Sequence, residues 1–152
     1  MKAIDTNVVV RGASGTELRD AATVPGVIEE VKSKGFSRQA KRLSLTVIEP
    51  GESEEVREVS EAVNSPTSET DENLVALGKE RDITVVSDDK AVQNLCHILG
   101  ISYEGFMDEE IEEPVEWFFS CKNCGNSTED PERCRRCGSG NITRKVREYS
   151  SG

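Results

Sequence analysis

Two cysteine pairs near the carboxyl end of the sequence constrain its fold more than any other feature. The pairs are Cys121-x-x-Cys124 and Cys134-x-x-Cys137, and a glycine follows each of them. Paired thiolates at this spacing are ligands of a tetrahedral Zn²⁺ site, and four of them leave the ion no open position. The spacing therefore predicts a structural zinc site, with iron as the alternative metal. A module this small cannot bury enough apolar surface to fold without such an ion.

The residues before the cysteines are numerous enough for one compact domain. The chain has 152 residues, and up to Pro114 short β-branched runs alternate with segments of helical periodicity. Such alternation is typical of helices packed on a parallel sheet, so we predict an α/β fold. We place the domain boundary at Pro114. An α/β domain then covers residues 1–113, and a zinc ribbon covers 114–152, with its ordered part at about 117–148.

Apolar patterning places the individual strands and helices. The run over residues 3–10 is expected to be one buried strand, because it is short, β-branched and without clean alternation. Thr23 is a candidate helix cap, since Pro25 follows it where the first helical turn lacks an N–H partner. Further strands are expected at 45–48, 83–87, 101–103 and 141–147, and helices at 23–31, 37–43, 52–64, 70–78 and 91–99.

Charge is distributed unevenly between the two predicted domains. The net charge of the chain is −10, of which residues 1–113 carry −12 and residues 114–152 carry +2. Because phosphate contacts need Lys and Arg, the acidic total argues against a generally basic nucleic-acid binder. The second domain nevertheless concentrates basic residues around its second cysteine pair and the strand that follows: Arg133, Arg135, Arg136, Arg144, Lys145 and Arg147.

Three aromatic residues, Trp117, Phe118 and Phe119, precede the first cysteine pair. Aromatic rings beside basic side chains are typical of a surface that contacts phosphates and stacks on bases. An equally open alternative is that these rings form the core of the ribbon or its seam with the first domain.

Acidic residues stand where elements of the first domain end or begin. Asp5 lies at the edge of the first apolar run, and Asp88 and Asp89 follow a later buried strand. Glu30 and Asp71 lie near the beginnings of predicted helices. Ligand sites of open parallel sheets lie at the carboxyl ends of the strands, so these side chains can meet at one edge.

The chemistry of such a cluster depends on a cation. Gathered carboxylates repel one another unless a hard divalent ion such as Mg²⁺ or Mn²⁺ lies among them. These ions activate water and stabilise both oxygens of an in-line phosphoryl displacement, which favours a metal-dependent nuclease. The alternative is that single acids are solvated surface charges or helix caps. A cap is an equal alternative for Asp71, and Glu29 is expected to be exposed.

Four segments resemble the successive acidic motifs of PIN-domain ribonucleases. They are Ile4-Asp-Thr-Asn7, Val27-Ile-Glu-Glu-Val31, Thr70-Asp-Glu-Asn-Leu-Val-Ala-Leu77 and Val85-Val-Ser-Asp-Asp-Lys-Ala-Val-Gln-Asn94. Followed by a four-cysteine ribbon, their order resembles the Nob-type endonucleases in their short archaeal form, over about the whole chain. The resemblance implies a PIN-like three-layer α/β/α domain with a central parallel sheet and a small carboxyl-terminal zinc ribbon.

The same resemblance implies a Mg²⁺- or Mn²⁺-dependent endoribonuclease that cleaves precursor small-subunit ribosomal RNA near its 3′ end during ribosome biogenesis. The residues that match the family's catalytic and metal-binding acids by position are Asp5, Glu30, Asp71 and Asp89, with Thr6 supporting Asp5. Two placements compete, Glu29 with Glu30 and Asp88 with Asp89, because adjacent residues point in different directions.

The implied partners are precursor ribosomal RNA, the pre-small-subunit particle and a ribosomal protein that would offset the acidic charge of the first domain. The basic residues of the ribbon would contact the RNA. The sequence has no apolar run long enough for a membrane span and no signal peptide, so a cytoplasmic protein without a membrane partner is expected. Two alternative functions are a toxin-like general PIN ribonuclease on messenger or transfer RNA, and a noncatalytic scaffold for RNA or a ribosomal protein.

Overall fold

The computed structural model describes residues 1–12 and 20–150. The described elements, in chain order, are β1 (Lys2–Ile4), α1 (Thr6–Val10), β2 (Ala21–Thr23), α2 (Pro25–Ser33), α3 (Ser37–Leu43), β3 (Thr46–Val47), α4 (Glu54–Ala62), α5 (Glu69–Arg81), β4 (Thr84–Val86), α6 (Lys90–Leu99), β5 (Tyr103–Glu104), β6 (Val115–Cys121), β7 (Ser127–Thr128) and β8 (Ile142–Glu148). None of the helices in these ranges combines the length and the apolar character that a membrane span requires.

Five strands form a parallel sheet in the order β3-β2-β1-β4-β5. The central strand β1 pairs on both sides, with Ala3 opposite Ala22 on β2 and Val85 on β4. The chain moves outward from β1 in opposite directions, so right-handed crossovers place α1, α2 and α3 on one face and α6 on the other. Helices α4 and α5 pack with α6. The domain is therefore the predicted PIN-like α/β/α sandwich, and its strand order reverses between β1 and β4.

The prediction that residues 3–10 form one strand is wrong. The strand ends at Ile4, and Asp5 then caps α1 by accepting a hydrogen bond from the Thr6 N–H. The β-branched Val8 and Val9 are fully buried in that helix. Helix propensity differs by only a few tenths of a kcal/mol between residues, so burial of an apolar face overrides it.

Thr23 belongs to a strand and does not cap a helix. It ends β2, which was not predicted, and its hydroxyl donates a hydrogen bond of 2.8 Å to the Ile4 carbonyl on β1. Helix α2 instead begins at Pro25, after Val24, without any side-chain cap. The hydroxyl of Thr23 thus holds two neighbouring strands together directly behind the end of β1.

Among the described residues, one apolar core lies between the sheet and the helices, and its largest fully buried side chains include Ile4, Leu74, Leu77 and Leu95. Helix α5 approaches the sheet closely at Gly78. A Cβ atom at that position would lie 2.5 Å from Cγ2 of Val85 on β4, so any larger residue would force the helix or the strand to shift. The second half of α5 therefore packs directly against β4.

The ribbon is an antiparallel sheet in the order β7-β6-β8. It is joined to the first domain by main-chain hydrogen bonds of β6. Fully buried Asn94 accepts from the Val115 N–H (2.7 Å) and donates to the Val115 carbonyl (2.8 Å). The Trp117 N–H donates to the Val63 carbonyl, and Asn64 donates to the Trp117 carbonyl. The Trp117 ring packs against the core of the first domain, so this ring belongs to the seam between the two parts.

Candidate active site and metal centre

Asp5 lies directly after the central strand, at the point where the strand order reverses. It is 3% exposed, and its two carboxylate oxygens accept from the Thr6 N–H (2.7 Å) and the Ser87 hydroxyl (2.6 Å). Burial raises the pKa of Asp5 to about 6; the Ser87 hydrogen bond opposes this, and the charges of Asp71 and Asp89 add to it. The sequence pattern did not single out Ser87 as a partner of Asp5.

Glu30 and Glu29 stand side by side on α2 but differ in environment. Glu30 is half-buried, and its Oε2 accepts a hydrogen bond of 2.6 Å from the Thr6 hydroxyl. Glu29 is exposed. Helix α2 begins at Pro25, so Glu30 lies in its second turn rather than near its beginning. Thr6 therefore connects the two acids, because its hydroxyl donates to Glu30 and its N–H donates to Asp5.

Asp71 is a helix cap and also a neighbour of other acids. It sits in the first turn of α5, where its carboxylate accepts from the Ser68 N–H (3.0 Å) while its own N–H donates to the Ser68 hydroxyl. Burial raises the pKa of Asp71; Ser68 lowers it, and the charges of Asp89 and Glu30 raise it. The capping role and a place in the carboxylate group are thus compatible.

Asp88 and Asp89 follow β4 and have separate roles. Asp88 is buried, and its oxygens accept from the N–H groups of Phe106, Met107 and Asp108 and from Arg11 (2.9 Å). Asp89 instead caps α6 by accepting from the Ala91 N–H, and its own N–H donates to the Ser87 hydroxyl. Because its oxygens already accept from four donors, Asp88 fixes the loop at 106–108 and is not counted among the metal-binding acids.

The group made by Asp5, Glu30, Asp71 and Asp89 has the donor chemistry of a hard-cation site. The charges of its members raise the pKa of Asp5 and Asp71, and oxygen ligands of this kind suit Mg²⁺ or Mn²⁺. The carboxylate oxygens of this group are farther apart than the sulfur atoms of the four cysteines. Among the described residues, the four cysteines are the one group of three or more ligating side chains whose ligand atoms lie within 4.8 Å of one another.

The raised pKa of Asp5 predicts a stability penalty at neutral pH. A folded-state pKa of about 6, above the usual 3.8, favours folding when the carboxyl is protonated. That contribution is complete below pH 4 and is lost as the pH rises through 6. Without divalent ions, we expect Asp5→Asn to raise the free energy of unfolding by about 1–3 kcal/mol at pH 8 and by little at pH 4. Urea titrations of both proteins at the two pH values measure this difference.

Asp88 is expected to stabilise the fold. Burial opposes its ionisation, but the N–H groups of Asp108, Phe106 and Met107 and the charge of Arg11 lower its pKa. Its contribution is therefore present above the ordinary pKa of an aspartate and is lost as the pH falls through the lower folded-state value. Asp88→Asn should cost about 2–3 kcal/mol at pH 7, because a charged acceptor of several hydrogen bonds is lost. An equal cost at pH 7 and pH 3 would contradict the charge assignment.

The four cysteines have the geometry of a tetrahedral metal site. The Sγ atoms of Cys121 and Cys137 are 3.5 Å apart, and those of Cys124 and Cys134 are 3.7 Å apart. Zn–S bonds of about 2.3 Å place tetrahedral sulfurs about 3.8 Å from one another. All four are free thiols, and these separations are much longer than a disulfide bond. The spacing fits a metal ion coordinated by four thiolates.

The two cysteine turns have the same backbone pattern. In each, the N–H of the glycine after the pair donates 2.9 Å to the carbonyl of the first cysteine, and both glycines, Gly125 and Gly138, have φ of 76°. A positive φ favours glycine. The Ser139 N–H, with Asn123, lowers the pKa of Cys137 to about 6, which favours the thiolate form that metals bind.

The basic residues of the ribbon are all exposed: Arg133, Arg135, Arg136, Arg144, Lys145 and Arg147. The guanidinium of Arg144 lies 5.3 Å from the centroid of the Phe119 ring, and that of Arg147 lies 4.8 Å from the Phe118 ring. Arg135 lies 3.7 Å from Glu129, and Arg147 pairs with Glu116 at 3.2 Å. Phe118 and Phe119 thus each have an arginine guanidinium over the ring, while Trp117 packs against the first domain.

A PIN-like α/β/α domain followed by a four-cysteine ribbon defines a class of metal-site nucleases. No family model matches the sequence. Endoribonuclease Nob1 of Archaeoglobus fulgidus is 30% identical over 159 aligned residues, which cover 97% of this chain and 95% of that protein. Endoribonuclease Nob1 of Pyrococcus abyssi is 27% identical over 90% of this chain and 88% of that protein. Ribonuclease VapC1 of Thermoplasma acidophilum is 29% identical but covers 47% of this chain and 37% of that protein. The chain belongs to the endoribonuclease Nob1 family.

Proposed function

We propose that this protein is a metal-dependent endoribonuclease that cleaves precursor small-subunit ribosomal RNA near its 3′ end during ribosome biogenesis. The observation that carries the proposal is the group of Asp5, Glu30, Asp71 and Asp89 at the reversal of strand order. Membership of the Nob1 family over nearly the full length supports it, because the relatives share the ribbon region as well as the first domain.

Each of the four acidic side chains is held in place by hydrogen bonds from its neighbours or by its position at a helix end. Asp5 is held rigidly by Ser87 and by the Thr6 N–H, and Thr6 also positions Glu30 through its hydroxyl. Asp71 and Asp89 are held at the amino ends of two helices, with orientations fixed by capping hydrogen bonds. A bound Mg²⁺ or Mn²⁺ would supply a water nucleophile and neutralise charge on the scissile phosphate. These carboxylates would hold the ion.

The ribbon supplies the contacts with RNA that the acidic first domain lacks. Its exposed arginines and Lys145 provide positive charge for phosphates, and Zn²⁺ on the four cysteines would maintain the shape of this surface. The first domain has a charge of −12 over residues 1–113, so it repels RNA unless ions or a partner screen it. A ribosomal protein within the pre-small-subunit particle is the partner we propose for that role.

Two other functions fit these features less well. A general ribonuclease acting on messenger or transfer RNA needs the carboxylate group but not an appended ribbon, and the VapC1 relative aligns over less than half of this chain. A noncatalytic scaffold needs the ribbon but has no use for a buried aspartate at a stability cost. The proposed maturation nuclease uses both features.

Cleavage mapping tests the proposed function. The protein, exchanged into buffer without free divalent ions, would be incubated with an RNA spanning the 3′ end of precursor small-subunit ribosomal RNA. A shuffled RNA of equal length and composition is the control. With added Mn²⁺, we expect a cut at one position in the precursor RNA and no comparable product from the shuffled RNA. Scattered cuts in both would favour the general ribonuclease, and binding without cleavage under any divalent ion would favour the scaffold.

A further inference from the structure

A polar groove lies where the ribbon meets the carboxyl end of α4. It has a volume of about 440 Å³ and is lined by Ala62 and Asn64 from the first domain and by Glu116, Phe118, Phe119, Ser127, Thr128, Glu129 and Arg147 from the ribbon. None of the proposed catalytic carboxylates and none of the cysteines lines it. Its volume falls within the range of small-ligand sites.

We propose that this groove binds one unpaired nucleobase of the RNA substrate, stacked on Phe118. The inference rests on the proposed function, because it assumes that RNA is the substrate. The Phe118 ring is half-buried and lines the groove, with the Arg147 guanidinium 4.8 Å from its centroid. An aromatic ring paired with a planar guanidinium is the surface on which single-stranded bases stack.

The charges of the groove select a base over a phosphate. Two carboxylates, those of Glu116 and Glu129, line the groove, and the Glu116 carboxylate accepts from Arg147 and from the Ser150 N–H. A phosphate entering beside them would be repelled, whereas a neutral base would not. Carboxylate, hydroxyl and amide groups can also accept hydrogen bonds from the amino groups of a base.

The neighbouring strand provides the path for the RNA backbone. Phe118 lies opposite Lys145 in the β6–β8 register, and Glu116 lies opposite Arg147. Opposed residues of an antiparallel pair project from the same face, so both cations stand on the face that carries Phe118. Lys145 is exposed and would contact a phosphate beside the inserted base, while Arg147 stays over the Phe118 ring and bonded to Glu116. This combination fits a single strand better than a duplex, whose bases are already stacked.

Equilibrium binding tests the inference without requiring cleavage. The 152-residue protein with Asp5→Asn would be used in Zn²⁺-containing buffer, with fluorescein-labelled single-stranded RNA and, in parallel, a duplex of the same sequence. We expect Phe118→Leu to weaken single-strand binding by about 5- to 100-fold and to leave duplex binding within about twofold. Phe118→Tyr should restore single-strand affinity, because it returns the ring.

Two arginine variants form a matched pair. Arg147→Gln and Arg144→Gln each remove one charge and one cation–ring contact, but only Arg147 lines the groove. We expect the Arg147 variant to lose several-fold more single-strand affinity than the Arg144 variant, and both to lose duplex affinity equally. Unchanged single-strand affinity in Phe118→Leu, or equal losses on single strand and duplex, would overturn the groove assignment. Circular dichroism melts of each variant exclude unfolding as the cause.

The outcome is independent of the nuclease proposal. Base binding in the groove with no cleavage by the parent protein would retain this inference and remove the proposed function. Metal-dependent cleavage with no effect of Phe118→Leu on binding would retain the proposed function and remove this inference.

Discussion

Asp5→Asn is expected to abolish RNA cleavage while the protein remains folded. Asparagine keeps the shape of the side chain and can still accept from the Thr6 N–H, but it removes the anion at the centre of the carboxylate group. We expect the cleavage rate at saturating Mn²⁺ to fall by about a hundredfold to a thousandfold, the scale found when one group that stabilises transition-state charge is removed. Single-turnover cleavage of end-labelled RNA measures it. Because the same change is expected to raise stability at pH 8, lost activity cannot be attributed to unfolding.

The adjacent glutamates of α2 offer the matched control. Glu30→Gln should lower the cleavage rate by about a hundredfold or more, since Glu30 is half-buried and bonded to Thr6. Glu29→Gln changes the same charge on an exposed side chain one residue away and should leave the rate within about twofold. Equal effects of the two changes would show that net charge, and not the carboxylate group, controls cleavage.

Loss of the zinc site is the second change with a large expected effect. We expect a variant carrying Cys124→Ser and Cys137→Ser to lose bound zinc and the fold of the ribbon, because a structural zinc site supplies on the order of 10 kcal/mol to such a module. The first domain has its own core and should remain folded. RNA affinity should fall by at least about tenfold, since the basic surface is no longer organised.

The single tryptophan reports this change directly. Trp117 lies on β6 with its ring against the core of the first domain and its N–H bonded to the Val63 carbonyl. Its emission should shift to longer wavelength when the ribbon unfolds, and elemental analysis should show the loss of about one zinc per chain. Cys96→Ser is the control, because that thiol is buried in the first domain and should leave the zinc content unchanged. An intact ribbon without metal would contradict the assignment.

The sequence was informative where chemistry requires fixed spacing. Both cysteine turns were predictable, because two thiolates reach one ion only across a short turn. The position of the Asp88-Asp89 pair just after a strand was also predictable, because the apolar run before it is short and β-branched. The alternation of strands and helices was sufficient for the sandwich.

The sequence was less informative where tertiary contacts decide. A β-branched run such as Val8-Val-Val10 fits a strand or a buried helix, and only the pairing of β1 with two neighbours shows that the strand ends at Ile4. The roles of Asp88 and Asp89 were not separable, because the N–H groups that engage Asp88 come from a loop 18 to 20 residues later. No local pattern reveals such partners.

The central place of β1 determines when the site can assemble during synthesis. The first strand to be made needs β4 as a neighbour, and Asp5 needs Ser87, which follows it by 82 residues. Contacts this distant in sequence form late and together, because the entropy cost of closing a long loop comes before any of them can stabilise the chain. A nascent chain that ends before Ser87 therefore lacks the partner that orients Asp5. Nuclease activity should appear only after more than half of the chain has been made.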